Sequence, residues 1–234
     1  MRSELVSKIA NRILDLPSEN VTRVAIDGVD GAGKTHFADE LASCLQGQGR
    51  PIIRASVDAF HNPRSVRYSQ GSSSPEGFYR NSYNYPLLKR LLLDPLSSGG
   101  SRRFKKAAFD HRLDSPVDAP QEEAASSAIL LFDGIFLHRP ELREYWDFSI
   151  FLDVDFSVSI PRGAQRGEGS ADPVAPSNRR YVEGQRLYLT ECQPWKHATV
   201  VIDNNVLDRP HFKKDAAYYF NEATDFAAIR SSRC

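Results

Sequence analysis

The fold is decided by Gly28-Val29-Asp30-Gly31-Ala32-Gly33-Lys34-Thr35, which fits the pattern G-x-x-x-x-G-K-[ST]. The motif lies between a β-branched apolar run at 21–26 (VTRVAI) and a stretch of helical spacing at 35–45, the strand–loop–helix context that a phosphate-binding P-loop requires. Glycines let the backbone wrap closely around phosphates, the following helix presents its positive end, and the lysine adds a charge to the β- and γ-phosphates. A glycine-rich turn that binds nothing is the alternative, and a dinucleotide site has no use for the Lys-Thr pair. We predict an ATP site formed by Gly28, Asp30, Gly31, Ala32, Gly33, Lys34, Thr35 and His36.

Further short apolar runs follow the P-loop at 52–57, 128–132, 148–152 and 199–202, with helical stretches between them. This alternation predicts a three-layer α/β/α P-loop NTPase fold with a mostly parallel sheet. We expect one domain over 1–234 that opens with an amphipathic helix at 3–16. Polar segments at about 61–85 and 97–120 break the alternation and are interpreted as covers of the site, and a flexible lid is expected at about 160–180.

Composition excludes several classes of function. Thirty basic and thirty acidic residues balance among 234, so no global field favours nucleic acid or an anionic membrane. No apolar run is long enough for a membrane span, and the three scattered cysteines are typical of a reduced, cytoplasmic enzyme. The sequence leaves open whether the chain forms a homo-oligomer.

Carboxylates end the predicted strands, at the edge of a parallel sheet where active sites lie. Asp133 follows the run 129–132 (ILLF), as expected of a Walker B acid that holds Mg²⁺ together with the Thr35 hydroxyl. Asp58 ends the second run, and we assign it as the general base that takes the proton of a substrate hydroxyl, and also to the metal site with Thr35 and Asp133. The alternatives are a capping role for Asp133 and an Asx-type turn for Asp58. Asp153 and Asp155 precede a helix expected to start near 156, where N-capping is the simpler account of at least one of them.

Arginines flank the predicted lid. Arg162 and Arg166 are four residues apart, so on one helix they would share a face and converge on a phosphate. Arginines delivered by a closing lid stabilise the negative charge that spreads over a transferring phosphoryl group. A solvated helix face is the alternative for each arginine.

Several of these motifs together resemble the uridine kinase and phosphoribulokinase family. The resemblance covers about 21–205 and rests on Asp58 in 56–61 (SVDAFH), on Asp133 in 132–135 (FDGI), and on the strand 151–155 (FLDVD) that leads to the lid. It implies Mg²⁺- and ATP-dependent phosphorylation of a nucleoside 5′-hydroxyl or a similar alcohol, with Asp58 as base, Asp133 near Mg²⁺, and Arg162 and Arg166 in the lid. The segment 104–112 is similar to the family's substrate hairpin.

The acceptor stays open at this stage, because the sequence departs from the family where the acceptor should bind. His61 stands where a tyrosine is usual, 109–111 (FDH) replaces a Tyr-Asp-Phe run, and Asp133 replaces a glutamate. Pantothenate, glycerate and sugars remain alternatives to a nucleoside, as does an NTPase with a regulatory or assembly role and no phosphorylated product. Asn204, at the end of a late strand, is the candidate adenine contact. Candidate acceptor-binding residues, chosen as aromatic or hydrogen-bonding side chains of the cover segments, are His61, Tyr79, Tyr83, Asp110, His111 and Arg112.

Overall fold

The computed structural model describes residues 2–167 and 169–215. The helices are α1 (Arg2–Leu14), α2 (Lys34–Leu45), α3 (Arg64–Arg67), α4 (Pro75–Asn81), α5 (Tyr85–Leu88), α6 (Phe156–Ala164), α7 (Arg179–Cys192) and α8 (Pro194–His197). The strands are β1 (Thr22–Gly28), β2 (Ile52–Ser56), β3 (Arg103–Phe104), β4 (Phe109–Asp110), β5 (Ser115–Pro116), β6 (Glu122–Glu123), β7 (Ile129–Gly134), β8 (Phe148–Asp153), β9 (Val200–Asp203) and β10 (His211–Asp215). Short turns of other helical types cover Val57–Phe60, Lys89–Leu93, Arg143–Tyr145 and Pro176–Asn178.

One six-stranded sheet carries the fold, in the order β10-β9-β8-β1-β7-β2. The strands from β9 to β2 are parallel to their neighbours, and β10 pairs antiparallel with β9. Because β1, β2 and β7 are adjacent and parallel, their carboxyl ends meet at one edge. The predicted mostly parallel sheet is confirmed.

Helices cover both faces of the sheet, which confirms the three-layer architecture. Along β1, Val24 and Ile26 face one core together with α1 and α2, whereas Ala25 faces the other core together with α4, α5 and α7. This division follows from the period of two along a strand, which sends successive side chains to opposite faces. Strands that are buried on both faces explain the continuous apolar runs in the sequence.

The boundaries of several elements differ from the sequence predictions. The first helix spans Arg2–Leu14 instead of 3–16, and β1 continues through Asp27 to Gly28. Asp58 lies in the turn that follows β2, so it does not end the strand itself. Asp155 takes the N-cap position of α6, but its side chain makes no capping hydrogen bond.

The cover segments carry short regular elements. Residues 61–85 contain α3 and α4, and α4 packs along α7. In the second segment β4 pairs with β5 in a hairpin over 109–116, which overlaps the segment 104–112 only in part, and β3 pairs with β6 farther along the chain. The predicted domain extends to 234, but residues 216–234 lie outside the described residues. None of the helices in the described part of the chain combines the length and the apolar character needed to cross a membrane.

Gly184 allows α7 to lie close to α4. A Cβ there would stand 2.7 Å from Cδ1 of Phe78 and 2.8 Å from the carbonyl oxygen of Pro75. We expect Gly184→Ala to lower the free energy of unfolding. Overpacking costs about 1–3 kcal/mol, and the higher helix propensity of alanine offsets about 1 kcal/mol of that cost. Urea denaturation measures the change. Thr190→Ala, at an exposed position of the same helix, is the control and should be neutral or slightly stabilising; the packing argument is wrong if both variants behave alike.

Candidate active site

The P-loop leaves β1 at Gly28 and enters α2 at Lys34. Gly31 and Gly33 have φ angles of +74° and +89°, in the left-handed region that favours glycine. A Cβ on Gly31 would lie 2.0 Å from the carbonyl oxygen of Ser159, so the loop also lies directly against α6. The shape of the loop and the helix start that follows it are those of a phosphate cradle.

A buried carboxylate fixes the root of this loop. Asp27 has no exposed surface, and its Oδ1 accepts a hydrogen bond of 2.7 Å from the main-chain N–H of Gly28. Oδ2 lies 2.7 Å from Nδ1 of His138 and accepts a short hydrogen bond from the Tyr188 hydroxyl. Burial raises the pKa of the Tyr188 phenol well above its ordinary value, so the hydroxyl stays protonated and donates.

Helix α7 holds the loop at a second point. The side-chain oxygen of Gln185 accepts a 2.6 Å hydrogen bond from the main-chain N–H of Asp30, and the Gln185 amide donates to the carbonyl of Tyr181 within the helix. Gln185 and Tyr188 are three residues apart and therefore lie on one face of α7. Nothing in the P-loop motif indicates which distant elements support the loop. For that reason neither of these residues, nor His138, was predicted from the sequence.

Two of the residues expected at the metal site, Thr35 and Asp133, lie in direct contact, and Asp58 lines the same cleft. The Thr35 hydroxyl donates to Oδ2 of Asp133 at 2.9 Å, and the Asp133 side chain is buried. Arg54 of β2, which the sequence analysis did not single out, donates to Oδ1 of Asp133 at 3.1 Å and also pairs with Asp39. Hydroxyl and carboxylate oxygens suit Mg²⁺, which typically takes few protein ligands and completes its shell with phosphates and water. The described residues contain no cluster of three or more acidic, His or Cys side chains arranged for a metal.

One cleft of about 750 Å³ contains most of the candidate residues. The Asp58 side chain is exposed to it, and the acceptor candidates His61, Tyr83 and His111 lie along the same wall. The rings of His61 and His111 are 4.7 Å apart. The other predicted site residues that line the cleft are Asp30, Gly31, Gly33, Lys34, Thr35, His36, Asp133 and Arg166.

His61 has a defined hydrogen-bonding state. Its Nδ1 lies 2.8 Å from the main-chain carbonyl oxygen of Asp58, and because a carbonyl only accepts, Nδ1 carries the proton. Burial lowers the pKa of the imidazole, which favours the neutral ring. The neutral ring then has Nε2 available as an acceptor.

Two lid and adenine candidates contact main-chain carbonyls instead of the cleft. Arg162 donates to the carbonyls of Asn204 and Asn205 at 3.1 Å and 2.6 Å, and the Asn204 amide donates to the carbonyl of Ala32 at 2.8 Å. Asn204 thereby supports the P-loop, and Arg162 supports the loop that follows β9. The expectation that Arg162 and Arg166 share one helix face is wrong, because α6 ends at Ala164.

Three acceptor candidates also lie outside the cleft lining. Tyr79 is buried, and its hydroxyl lies 3.2 Å from the sulfur of Cys192. The Asp110 carboxylate accepts from the main-chain N–H groups of Arg112 and Leu113, which is a turn arrangement, and the Arg112 side chain is exposed. The sequence alone does not show whether the carboxylate of Asp110 forms a turn or contacts a ligand, because both roles fit the same spacing of polar residues.

Comparison with known proteins gives a family and a fold. Residues 24–169 match the model of the Phosphoribulokinase / Uridine kinase family. The chain is 24% identical to the uridine kinase of Ligilactobacillus salivarius over 144 residues, which span 61% of this chain and 65% of that enzyme.

Two solved structures share the fold. A protein described as a possible uridine kinase from Bacillus stearothermophilus superposes with a TM-score of 0.67 at 22% identity, covering 85% of this chain and 97% of that one. Phosphoribulokinase from Rhodobacter spheroides superposes with a TM-score of 0.53 at 12% identity, covering 80% of this chain and 71% of that one.

The support that Asp27 receives from α7 can be measured. Tyr188→Phe removes one donor to a fully buried carboxylate, and we expect the free energy of unfolding to fall by about 1–3 kcal/mol. Tyr145→Phe is the matched control, since it removes an exposed hydrogen bond to Asp94 and should change the free energy of unfolding by less than about 1 kcal/mol. Chemical denaturation compares the two variants, and equal effects would contradict a special role for the Asp27 network.

Proposed function

The chain belongs to the phosphoribulokinase / uridine kinase family, and from that premise we propose that it transfers the γ-phosphate of ATP to a hydroxyl group of a small molecule. The observation that carries this proposal is the cleft itself. It joins the P-loop residues Lys34 and Thr35, the acid Asp133 and the exposed carboxylate Asp58 in one space of about 750 Å³. Such a space suits a nucleotide and a second, smaller molecule side by side.

Each group in the cleft has a proposed role. The P-loop amides and Lys34 bind the phosphates, and Lys34 is free to leave the Val29 carbonyl, to which it donates at 2.9 Å, when a phosphate competes for it. Thr35 and Asp133 hold Mg²⁺, which when bound neutralises charge on the β- and γ-phosphates. Asp58 orients the acceptor hydroxyl and takes its proton, and Arg166 approaches the transferring group from the lid.

The first candidate acceptor is a nucleoside that reacts at its 5′-hydroxyl. Support comes from the similarity to the L. salivarius uridine kinase and from the aromatic residues that line the cleft, His61 and His111, of which His61 has Nε2 available as an acceptor. Aromatic side chains beside a hydrogen-bond acceptor favour a flat base with N–H groups over a sugar or a short hydroxy acid.

A panel assay tests the proposal. ADP release is measured with Mg-ATP and, in turn, uridine, cytidine, other nucleosides, pantothenate, glycerate and simple sugars, with the product mass confirmed. We expect at least one nucleoside to raise ADP release clearly above the rate without acceptor, and to appear as its monophosphate. If no compound raises ADP release, the small-molecule kinase proposal fails, and a regulatory NTPase becomes the better account.

Asp58→Asn is the companion variant for the same assay. The amide cannot take the hydroxyl proton, so we expect acceptor-dependent turnover to fall by a factor of about a hundred or more. The affinity for Mg-ATP, measured by calorimetry, should stay within about twofold, because the base acts on the acceptor and not on the nucleotide. A large loss of ATP affinity would assign Asp58 to the metal instead.

A further inference from the structure

The carboxylate of Asp58 is exposed, yet it has a fixed protein partner. Asp58 lies in the turn Val57–Phe60, whose start is capped by the Ser56 hydroxyl accepting from the Asp58 main-chain N–H at 3.3 Å. Oδ1 of Asp58 accepts a hydrogen bond of 3.1 Å from the hydroxyl of Tyr83. Within the described residues this is the one side-chain hydrogen bond found to that carboxylate. An exposed carboxylate without such a donor would be free to sample several rotamers.

The main chain fixes where Tyr83 stands relative to Asp58. His61 and Tyr83 pair as an antiparallel bridge, the Asn84 N–H donates to the Phe60 carbonyl at 2.8 Å, and the Asn62 N–H donates to the Ser82 carbonyl at 2.9 Å. The Asn62 side chain adds bonds of 3.0 Å to two carbonyls of the same segment. The turn that carries Asp58 and the segment that carries Tyr83 therefore form one unit.

The surroundings of Tyr83 suit a donor and leave little room for a substrate. The residue is only 5% exposed, and its ring packs against His61 at 4.5 Å and near Phe136 at 6.3 Å. Burial raises the pKa of its phenol well above the ordinary value, so the hydroxyl keeps its proton. That single proton is directed at Asp58, and the ring has little free surface on which a base could stack.

We infer that Tyr83 is a positioning residue for the general base, holding Oδ1 of Asp58 so that Oδ2 faces the acceptor hydroxyl. The inference rests on the proposed function, and it replaces the acceptor-binding role that the sequence suggested for Tyr83. In the reaction, the acceptor oxygen forms a bond to the γ-phosphorus, the bond from that phosphorus to the bridging oxygen of ADP breaks, and the acceptor proton passes to Oδ2. Correct placement of Oδ2 matters mainly in this transition state.

The test separates kcat from KM in Tyr83→Phe. The variant keeps the ring and its packing but loses the donor, so we expect kcat to fall roughly tenfold or more, the range of one hydrogen bond to a charged group. KM for the acceptor and for ATP should stay within about twofold, because binding does not use the lost contact. Uridine is the first acceptor, replaced by the nucleoside of highest turnover if the panel finds a better one.

Tyr85→Phe is the matched control. Tyr85 lies two residues away, is buried to a similar degree, and has a hydroxyl with no hydrogen-bond partner among the described residues. The same chemical change there should leave kcat within about twofold. Melting temperatures of both variants show whether either change acts through global stability.

A double variant with Asp58→Asn completes the experiment, with radiolabelled ATP used so that slow rates remain measurable. If Tyr83 acts through Asp58, adding Tyr83→Phe to Asp58→Asn should lower kcat by less than about twofold further, since coupled residues are non-additive. Full additivity, a rise in acceptor KM without a fall in kcat, or equal effects of Tyr83→Phe and Tyr85→Phe would each overturn the inference while the proposed function stands. Absence of acceptor-dependent turnover in the unchanged protein would overturn both.

Discussion

Asp27 is a carboxylate with no exposed surface, and it has to find its hydrogen-bond donors inside the protein. An unpaired buried charge is strongly destabilising, so the donors must come from whatever elements the fold can bring to the end of β1. Here they come from the first P-loop residue, from His138 after β7, and from Tyr188 on α7. Satisfying one carboxylate therefore fixes the relative positions of the P-loop, the segment after β7 and helix α7.

Helix α7 also contacts the first cover segment. Besides Gln185 and Tyr188 on the P-loop side, α7 carries Arg180, whose buried guanidinium donates to the carbonyls of Arg67, Gly71 and Ser74 in the first cover segment. The lid segment leads directly into α7. Helix α7 therefore contacts both the first cover segment and the P-loop, and it directly follows the predicted lid.

The sequence was sufficient for the fold because the fold depends on local patterns. Apolar runs separated by helical stretches are enough to predict a parallel three-layer domain, and the glycine-lysine motif marks its first strand and helix. The meeting of Thr35 with Asp133 could also be anticipated, since Thr35 follows β1 and Asp133 lies near the carboxyl end of the neighbouring parallel strand β7. The supports His138, Gln185 and Arg54 could not, because each reaches the site from an element whose contacts depend on tertiary packing. Asp110 and Tyr79 show the opposite limit, since a polar or aromatic residue in a cover segment can equally serve a turn or the core.

We propose that the cleft binds the triphosphate of ATP at the P-loop. Calorimetric titration of Mg-ATP into the unchanged protein and into Lys34→Ala tests it most directly, with Lys8→Ala on the outer surface of α1 as the control. Loss of a charge-assisted phosphate contact should weaken the affinity by about tenfold or more, whereas Lys8→Ala should bind like the unchanged protein. Equal affinities of the unchanged protein and Lys34→Ala, or no binding of Mg-ATP at all, would contradict the account.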